Sequence, residues 1–520
     1  MLRRPSTLLL STLVCTAVIH GGVAHAVFQA QTTPSGGGAS DYDRVDSYAT
    51  ALRVLKDGVL ADNEGRQHAA MMALRQLRDP GVSPLFARLL ESDRWALRVD
   101  SVLGLAELSA DGRIDLSKVE RLPGERDRDA AISAILALRL ADATQVKSML
   151  EWSDIPSSSR VLLAGELRRL GESPDAAALA RLAGSKTPEV AGFATCIALD
   201  LKAADAEATA TRTRDLVAAL APATRSSAVA QIAEASAASG LRGAGPFIAT
   251  LIALPELSDE SRMRALGSLL TLSPADAYPE LAKLVAADRS NASLLRYAAI
   301  LLASGARAPA AEWDRFRNGD EALEGIANAG TSLAADKEAD AYRTLVGLER
   351  RVVLRAALDG ARRIGPSARR AFGLACLELV LKPGPTPPQL SETLLAALFD
   401  LAELAPDELK APLASSDLDI ATSDAILMSL LNAGTPAAAE VAKSARGRAS
   451  RLGEGQIAVL AGRNTEKLSP AEIDELLRVA GGAVNVSYAV RVQAAWLWLR
   501  HSGRTADAIS AIAGAKSSGD

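Results

Sequence analysis

A spacing of 31 residues between equivalent leucines most limits what this 520-residue chain can fold into. Two series of leucines, offset by three residues, share this spacing. The first is Leu74, Leu105, Leu136 and Leu167, and the second is Leu77, Leu108, Leu170 and Leu201. Arg139 is the one polar interruption of the second series. A repeat of this length indicates units that bury their apolar faces by stacking on their neighbours. The spacing therefore predicts a stacked array of repeats rather than one compact core.

Each repeat has the pattern of two short helices. In the segment 98–108, Val99, Val102, Leu103 and Ala106 fall at i, i+3, i+4 and i+7, which places them on one helical face. A second apolar set follows each such segment, and alternating β-branched runs are rare. Because Ser or Thr caps a helix and Pro fits its first turn, five dipeptides predict helix starts. They are Ser173-Pro174, Thr187-Pro188, Ser273-Pro274, Thr435-Pro436 and Ser469-Pro470. Ser469 with Glu472 predicts a capping box. The fold class is predicted to be all-α.

The segment 65–80 and the segment 84–92 resemble the helix, Asp-Pro turn and second helix of the HEAT repeat family, in its short form of about 30 residues. The resemblance is clearest over residues 65–201, loosens to residue 304, and is only one of helical pairs beyond residue 310. It implies an α-solenoid, a superhelix of stacked antiparallel helix pairs of the HEAT/armadillo kind. Such a superhelix offers a long concave surface for binding.

The amino terminus has the features of a signal peptide. Arg3 and Arg4 precede an apolar run from Leu8 to Ile19, and Ala24-His25-Ala26 has the small residues that a signal peptidase requires. We expect cleavage after Ala26, because the run is shorter than the roughly 20 residues of a spanning helix. An uncleaved anchor is the alternative. The predicted location is exported, either periplasmic or secreted, with no transmembrane segment after cleavage.

Composition shifts and proline-rich stretches divide the chain further. The hinge candidate is the proline-rich stretch Lys382 to Pro388. The predicted organisation is a signal peptide at 1–26, a flexible tether at 27–41, HEAT-like repeats at 42–203, degenerate helical repeats at 204–381 and C-terminal helical repeats at 388–520 after the hinge 382–388.

Few residues are suited to catalysis or metal binding. After cleavage Cys196, Cys376, His68 and His501 are the only thiols and imidazoles, and their spacing matches no zinc motif. We expect both cysteines to be small buried apolar residues and both histidines to serve on the surface or in packing. The segment 107–118 partly resembles a calcium loop, with Asp111 and Asp115 at ligand positions. It carries Lys118 where a bidentate carboxylate is required. The sequence therefore predicts no catalytic residue, no cofactor and no metal.

Charge suggests where a partner could bind. The overall net charge of −4 and the scarcity of aromatic residues argue against nucleic acid. Arg98, Arg128 and Arg160 recur near successive helix starts, so they either form a basic row or bind acids of the adjoining repeat. A denser basic patch is a possible partner-binding site, with solvated helix faces as the alternative. It consists of Arg350, Arg351, Arg355, Arg362, Arg363, Arg369 and Arg370.

Three functions fit these patterns. The leading hypothesis is a non-catalytic extracytoplasmic scaffold or adaptor that binds a protein partner through the concave surface of its repeats. The first alternative is a self-associating structural component of the envelope. The second is an enzyme accessory or bilin-lyase-like protein, since short HEAT-like repeats also resemble those of bilin lyases.

Overall fold

The structure is a computed structural model that describes residues 47–153, 155–382, 391–416, 418–465 and 467–514. The predicted signal peptide, the tether and most of the predicted hinge lie outside these residues. Every regular element in the described part is a helix, which confirms the all-α class. No helix there combines the length and apolar character needed to cross a membrane.

The described residues divide into two compact units, a central unit of residues 143–405 and a terminal unit that joins residues 47–142 with residues 406–514. These divisions differ from the blocks drawn from the sequence, which remain predictions. The central unit contains α7 Ala143–Glu151, α8 Ser157–Arg169, α9 Ala176–Ala183, α10 Pro188–Asp200, α11 Ala206–Ala218, α12 Pro222–Ala238, α13 Gly245–Ile252, α14 Asp259–Leu272, α15 Pro274–Ala287, α16 Asn291–Ala303, α17 Ala310–Asp314, α18 Glu321–Ala334, α19 Glu338–Gly347, α20 Arg351–Ile364, α21 Pro366–Val380 and α22 Ser391–Leu404.

The terminal unit is built from both ends of the described chain. Its helices are α1 Ser47–Val59, α2 Glu64–Gln76, α3 Ser83–Leu89, α4 Trp95–Glu107, α5 Leu116–Glu120, α6 Glu125–Leu138, α23 Lys410–Ala414, α24 Ile420–Ala433, α25 Pro436–Ser444, α26 Arg451–Asn464, α27 Pro470–Gly481, α28 Tyr488–His501 and α29 Thr505–Ala513. Short 3-10 helices occupy Pro80–Val82, Arg242–Ala244, Pro406–Leu409 and Arg446–Arg448.

Long helices pack against the next long helix in both units. In the terminal unit α2 packs on α4 and α4 on α6, while in the central unit the series runs through α8, α10, α12, α14 and α16. These helices bury residues on most of their circumference, as α10 does with every residue from Val190 to Ala198. Such burial is the pattern of a helix that lies between neighbours on both sides.

Two of the five predicted Ser/Thr-Pro caps are confirmed. Ser469 forms the capping box with Glu472, and Thr435 accepts from the amide of Ala438 at 3.2 Å. At the other three positions the hydroxyl does not cap the helix, although helices begin at Pro188 and Pro274 as predicted. Ser273 donates its hydroxyl to the Asp276 carboxylate instead, Thr187 makes no side-chain cap, and Asp175 rather than Ser173 caps α9.

The recurring arginines are structural and do not form an exposed basic row. Arg98 pairs with Asp127 at the start of α6, as the alternative interpretation predicted, with 2.7 Å from Nε to the carboxylate. Arg128 instead donates to the carbonyl of Leu122 at 2.8 Å, and Arg160 to that of Leu150 at 2.9 Å. These carbonyls lie at the C-terminal ends of the preceding short helices, where the last C=O groups lack donors within the helix.

The first and last helices pack against each other within the terminal unit. Helix α28 lies against α1 and α2, α27 lies against α1, and α29 lies against α3. The Tyr488 hydroxyl donates to the carbonyl of Val54 at 2.9 Å, and the Gln493 amide donates to that of Ala73 at 3.0 Å. The fully buried Trp496 donates from Nε1 to the Asp79 carboxylate at 3.0 Å. We call this contact the end-to-end interface.

Glycines allow aromatic rings to pack directly on long helices. A Cβ at Gly104 or Gly165 would lie 2.5 Å from the ring of Phe86 or Phe193, and one at Gly330 would lie 2.1 Å from the ring of Trp313. No carbon atom can approach that closely, so each ring position depends on the absence of a side chain.

We expect Gly330→Ala to lower the stability of the central unit by about 1–3 kcal/mol, because Trp313 would have to move out of its buried site. This loss exceeds the roughly 0.5–1 kcal/mol that alanine gains over glycine within a helix. Urea unfolding followed by tryptophan fluorescence would measure it. Gly347→Ala is the matched control, since its Cβ would meet nothing within 4 Å. Equal stability of the two variants would contradict the packing argument.

Candidate partner-binding surface

The predicted basic patch lies on a helical hairpin formed by α20 and α21, which pack along each other. Gly365 is the one residue between the two helices, and its φ of 135° belongs to a region that favours glycine. Pro366 follows at the first position of α21, where its missing N–H costs no hydrogen bond. Helix α20 buries one face, including Val353, Leu354 and Leu358, and turns its arginines outward.

Two arginines of the patch fix the hairpin to α22. Arg362 donates to the Asp400 carboxylate at 2.8 Å, and Arg369 donates to its other oxygen at 3.0 Å. Arg369 also pairs with Glu403. Asp400 is only 2% exposed, so its negative charge requires these partners. Arg362 and Arg369 therefore have a structural role.

Three further arginines also have partners. Arg355 lies 3.4 Å from Asp359 one turn along α20, and Arg363 donates to the Thr271 hydroxyl of α14 at 2.6 Å. Arg370 has an interaction partner as well. Of the seven arginines of the patch, only Arg350 and Arg351 are exposed and have no partner within the described residues. The structure thus brings the seven arginines to one hairpin but leaves two of them free to meet another molecule.

A groove beside the hairpin was not predicted from the sequence. It has a volume of about 430 Å³, within the range of about 300–1,000 Å³ typical of binding pockets. Leu374, Ala375 and Leu404 give it an apolar floor, and Arg343 and Glu378 pair across its rim at 3.1 Å. Its lining comes from three helices, so no local sequence pattern marks it.

His68, expected on the surface or in packing, is exposed and also takes part in a charged network between α2 and α4. Its Nδ1 lies 3.1 Å from the Asp100 carboxylate, whose other oxygen accepts from Arg75 at 3.1 Å. Arg75 is 4% exposed and also binds Glu107 at 2.6 Å. The hydrogen bond to Asp100 raises the pKa of His68 against the opposing effect of its partial burial. Asp100 lies about one repeat further along the chain than His68, and this spacing is the sequence signal that indicates their contact.

The raised pKa of His68 predicts a pH dependence of stability. Because protonated His68 gains a partner on folding, its contribution is fully present below pH 6.5 and is lost as the pH rises through the higher pKa of the folded state. We expect a small effect, since the imidazole is more than half exposed. Unfolding free energies of the wild type and His68→Gln, measured across this range, should converge at high pH. A difference that does not vary with pH would contradict this assignment.

The remaining chemically notable residues are held by the fold. Cys196 and Cys376 are fully buried, as predicted, and burial raises the pKa of the Cys196 thiol to about 12. His501 contacts the carbonyl of Gly462 at 2.7 Å. Asp111 accepts from the amide of Arg113, and Asp115 caps α5 through the amide of Ser117. The described residues contain no cluster of three or more His, Cys, Asp or Glu side chains placed to hold a metal.

Comparisons of the chain with models of known protein families, with characterised proteins and with solved structures give no match.

Proposed function

We propose that this protein is a non-catalytic extracytoplasmic scaffold that binds another protein on the surface of an α-solenoid of HEAT-like helix pairs. The main support is a series of ion pairs about 30 residues apart, which join one helix pair to the next. They include Arg75 with Glu107, Arg98 with Asp127, Arg168 with Asp200, Arg264 with Glu234 and Arg307 with Glu338.

These ion pairs favour a binding role because they preorganise the surface. A surface whose side chains are already ordered loses less conformational entropy when a partner docks on it. The repeated packing of long helices within each unit supports the solenoid, in which successive units present equivalent surfaces side by side. The fold analogy supplies the class of function, and the partner must be found by experiment.

Export is part of the proposal. If the signal peptide is cleaved as predicted, the mature chain begins at Val27, and intact-mass measurement of the protein from the extracytoplasmic fraction will show this. Replacing Ala24 and Ala26 by arginine should block processing, because large side chains do not fit the peptidase. An unprocessed wild-type chain in the membrane fraction would favour the anchor.

Affinity capture tests the scaffold itself. The chain 27–520 would be immobilised and exposed to a native envelope extract, and retained proteins would be cross-linked and identified by mass spectrometry. We expect a stoichiometric partner whose cross-links map to one helical surface. A heat-unfolded sample of the same chain is the control. If further copies of this chain are the only protein retained, the self-associating structural component is favoured. If no protein is retained, the scaffold is refuted.

A further inference from the structure

One end of the α20/α21 hairpin exposes two large apolar side chains. Val352 is 50% exposed and Leu381 is 42% exposed, and only Ile420 joins them as an exposed large apolar residue in the described chain. Val352 lies in the first turn of α20, and Leu381 directly follows α21. The helices have 14 and 15 residues and thus similar lengths of about 21 and 22 Å. The ion pair of Arg343, near the end of α19, with Glu378, near the end of α21, places these two helix ends side by side. Because only three residues separate α19 from α20, the start of α20 and the end of α21 lie at the same end of the hairpin.

Three cations accompany these apolar residues. Arg350, Arg351 and Lys382 are exposed and have no acidic partner within the described residues. Glu349 is the acidic residue next to them, so the local charge is about +2. We call the set of Arg350, Arg351, Val352, Leu381 and Lys382 the hairpin-end surface.

We propose that the hairpin-end surface is the docking site for the protein partner, and that it binds an acidic segment carrying apolar side chains. This inference rests on the proposed scaffold function. Carboxylates of the segment would face the three cations, and its apolar side chains would cover Val352 and Leu381. Charge complementarity fixes the orientation of such a complex, and arginine is among the residues that contribute most at interfaces.

A protein segment fits this surface better than an anionic membrane does. Membrane-bound helices bury their apolar face about 5–10 Å into the lipid, whereas Val352 and Leu381 are already half covered by their own fold. Electrostatic recognition of lipid typically uses clusters of about 4–8 basic residues, and this surface offers three. A protein partner requires contact with the half-exposed side chains but no insertion of them.

Selection from a displayed library of short random peptides tests the proposal. Wild-type chain 27–520 should enrich peptides that combine Asp or Glu with Leu, Ile or Phe. The variant Arg350→Glu/Arg351→Glu should weaken their binding by at least about tenfold, and Val352→Ser/Leu381→Ser should weaken it too. Both variants alter exposed side chains, so circular dichroism should show an unchanged helical fold. The matched control, Arg181→Glu/Arg214→Glu, reverses two exposed arginines of the central unit that also lack acidic partners.

Three results would overturn the proposal. The selected peptides could lack acidic residues, their binding could survive the Arg350/Arg351 reversal, or vesicles containing phosphatidylglycerol could bind the chain while peptides do not. The scaffold is tested separately. If capture from the extract yields a partner that the reversed variant still binds, the scaffold stands and this docking site fails. If capture yields no partner, the scaffold itself fails.

Discussion

Trp496→Ala is expected to destabilise the terminal unit by about 3–5 kcal/mol, the usual cost of removing a large aromatic side chain from a core. Trp496 is fully buried, and its indole N–H donates to Asp79, which is itself only 2% exposed on its side chain. The loss of the ring opens a cavity in the end-to-end interface. The loss of the N–H also removes one donor from a buried carboxylate, which retains the amide of Gly81 at 3.0 Å.

Hydrogen exchange of backbone amides would localise this effect. Exchange should accelerate in α28 and also in α1 to α3, although these segments lie more than 400 residues apart, because neither is held without the other. Trp496→Phe keeps most of the packing and should cost about 1.5–3 kcal/mol, the usual value of a hydrogen bond to a charged group. Trp152→Ala, in the central unit, is the control and should leave these amides protected. Acceleration confined to α28 would show that the two ends are not energetically coupled.

Arg75→Met is the second change with a large expected effect, about 3–5 kcal/mol, because it leaves the buried Asp100 carboxylate without its arginine counter-ion. The Arg75 side chain is 4% exposed and the Asp100 side chain 7%, so neither can turn to water in place. Methionine retains much of the volume of the arginine stem. The loss therefore reports mainly on the charge.

A double-mutant cycle with Asp100→Asn would separate the charge effect from packing. The double variant should be more stable than Arg75→Met alone, because it no longer buries an unpaired carboxylate. His68 adds a further check, since it contacts the same carboxylate when protonated. Arg75→Met should therefore be less damaging below pH 6.5 than above it. Purely additive effects, measured by urea unfolding, would argue against a coupled network.

Local chemistry explains which sequence predictions succeeded. Helical periodicity and the capping box of Ser469 with Glu472 involve residues within one helical turn, so the all-α class and this helix start were predictable. Ser273 departs from this pattern, because its hydroxyl donates to Asp276 and accepts no backbone amide of α15, although both residues lie within one helical turn. The predicted basic patch could be only partly resolved from the sequence. Its arginines are adjacent in sequence, but Asp400, which binds Arg362 and Arg369, lies on a different helix.

The sequence by itself predicted the helices and, over residues 65–201, contact between neighbouring helix pairs, since a spacing of about 31 residues implies such contact. The tertiary structure alone decided that the first and last helices pack together, and which arginines remain free. The physical reason is that apolar side chains such as Val54 and Trp496 lose water equally well against any complementary face. The sequence therefore predicts that these side chains are buried. Only the folded chain determines which helix they pack against.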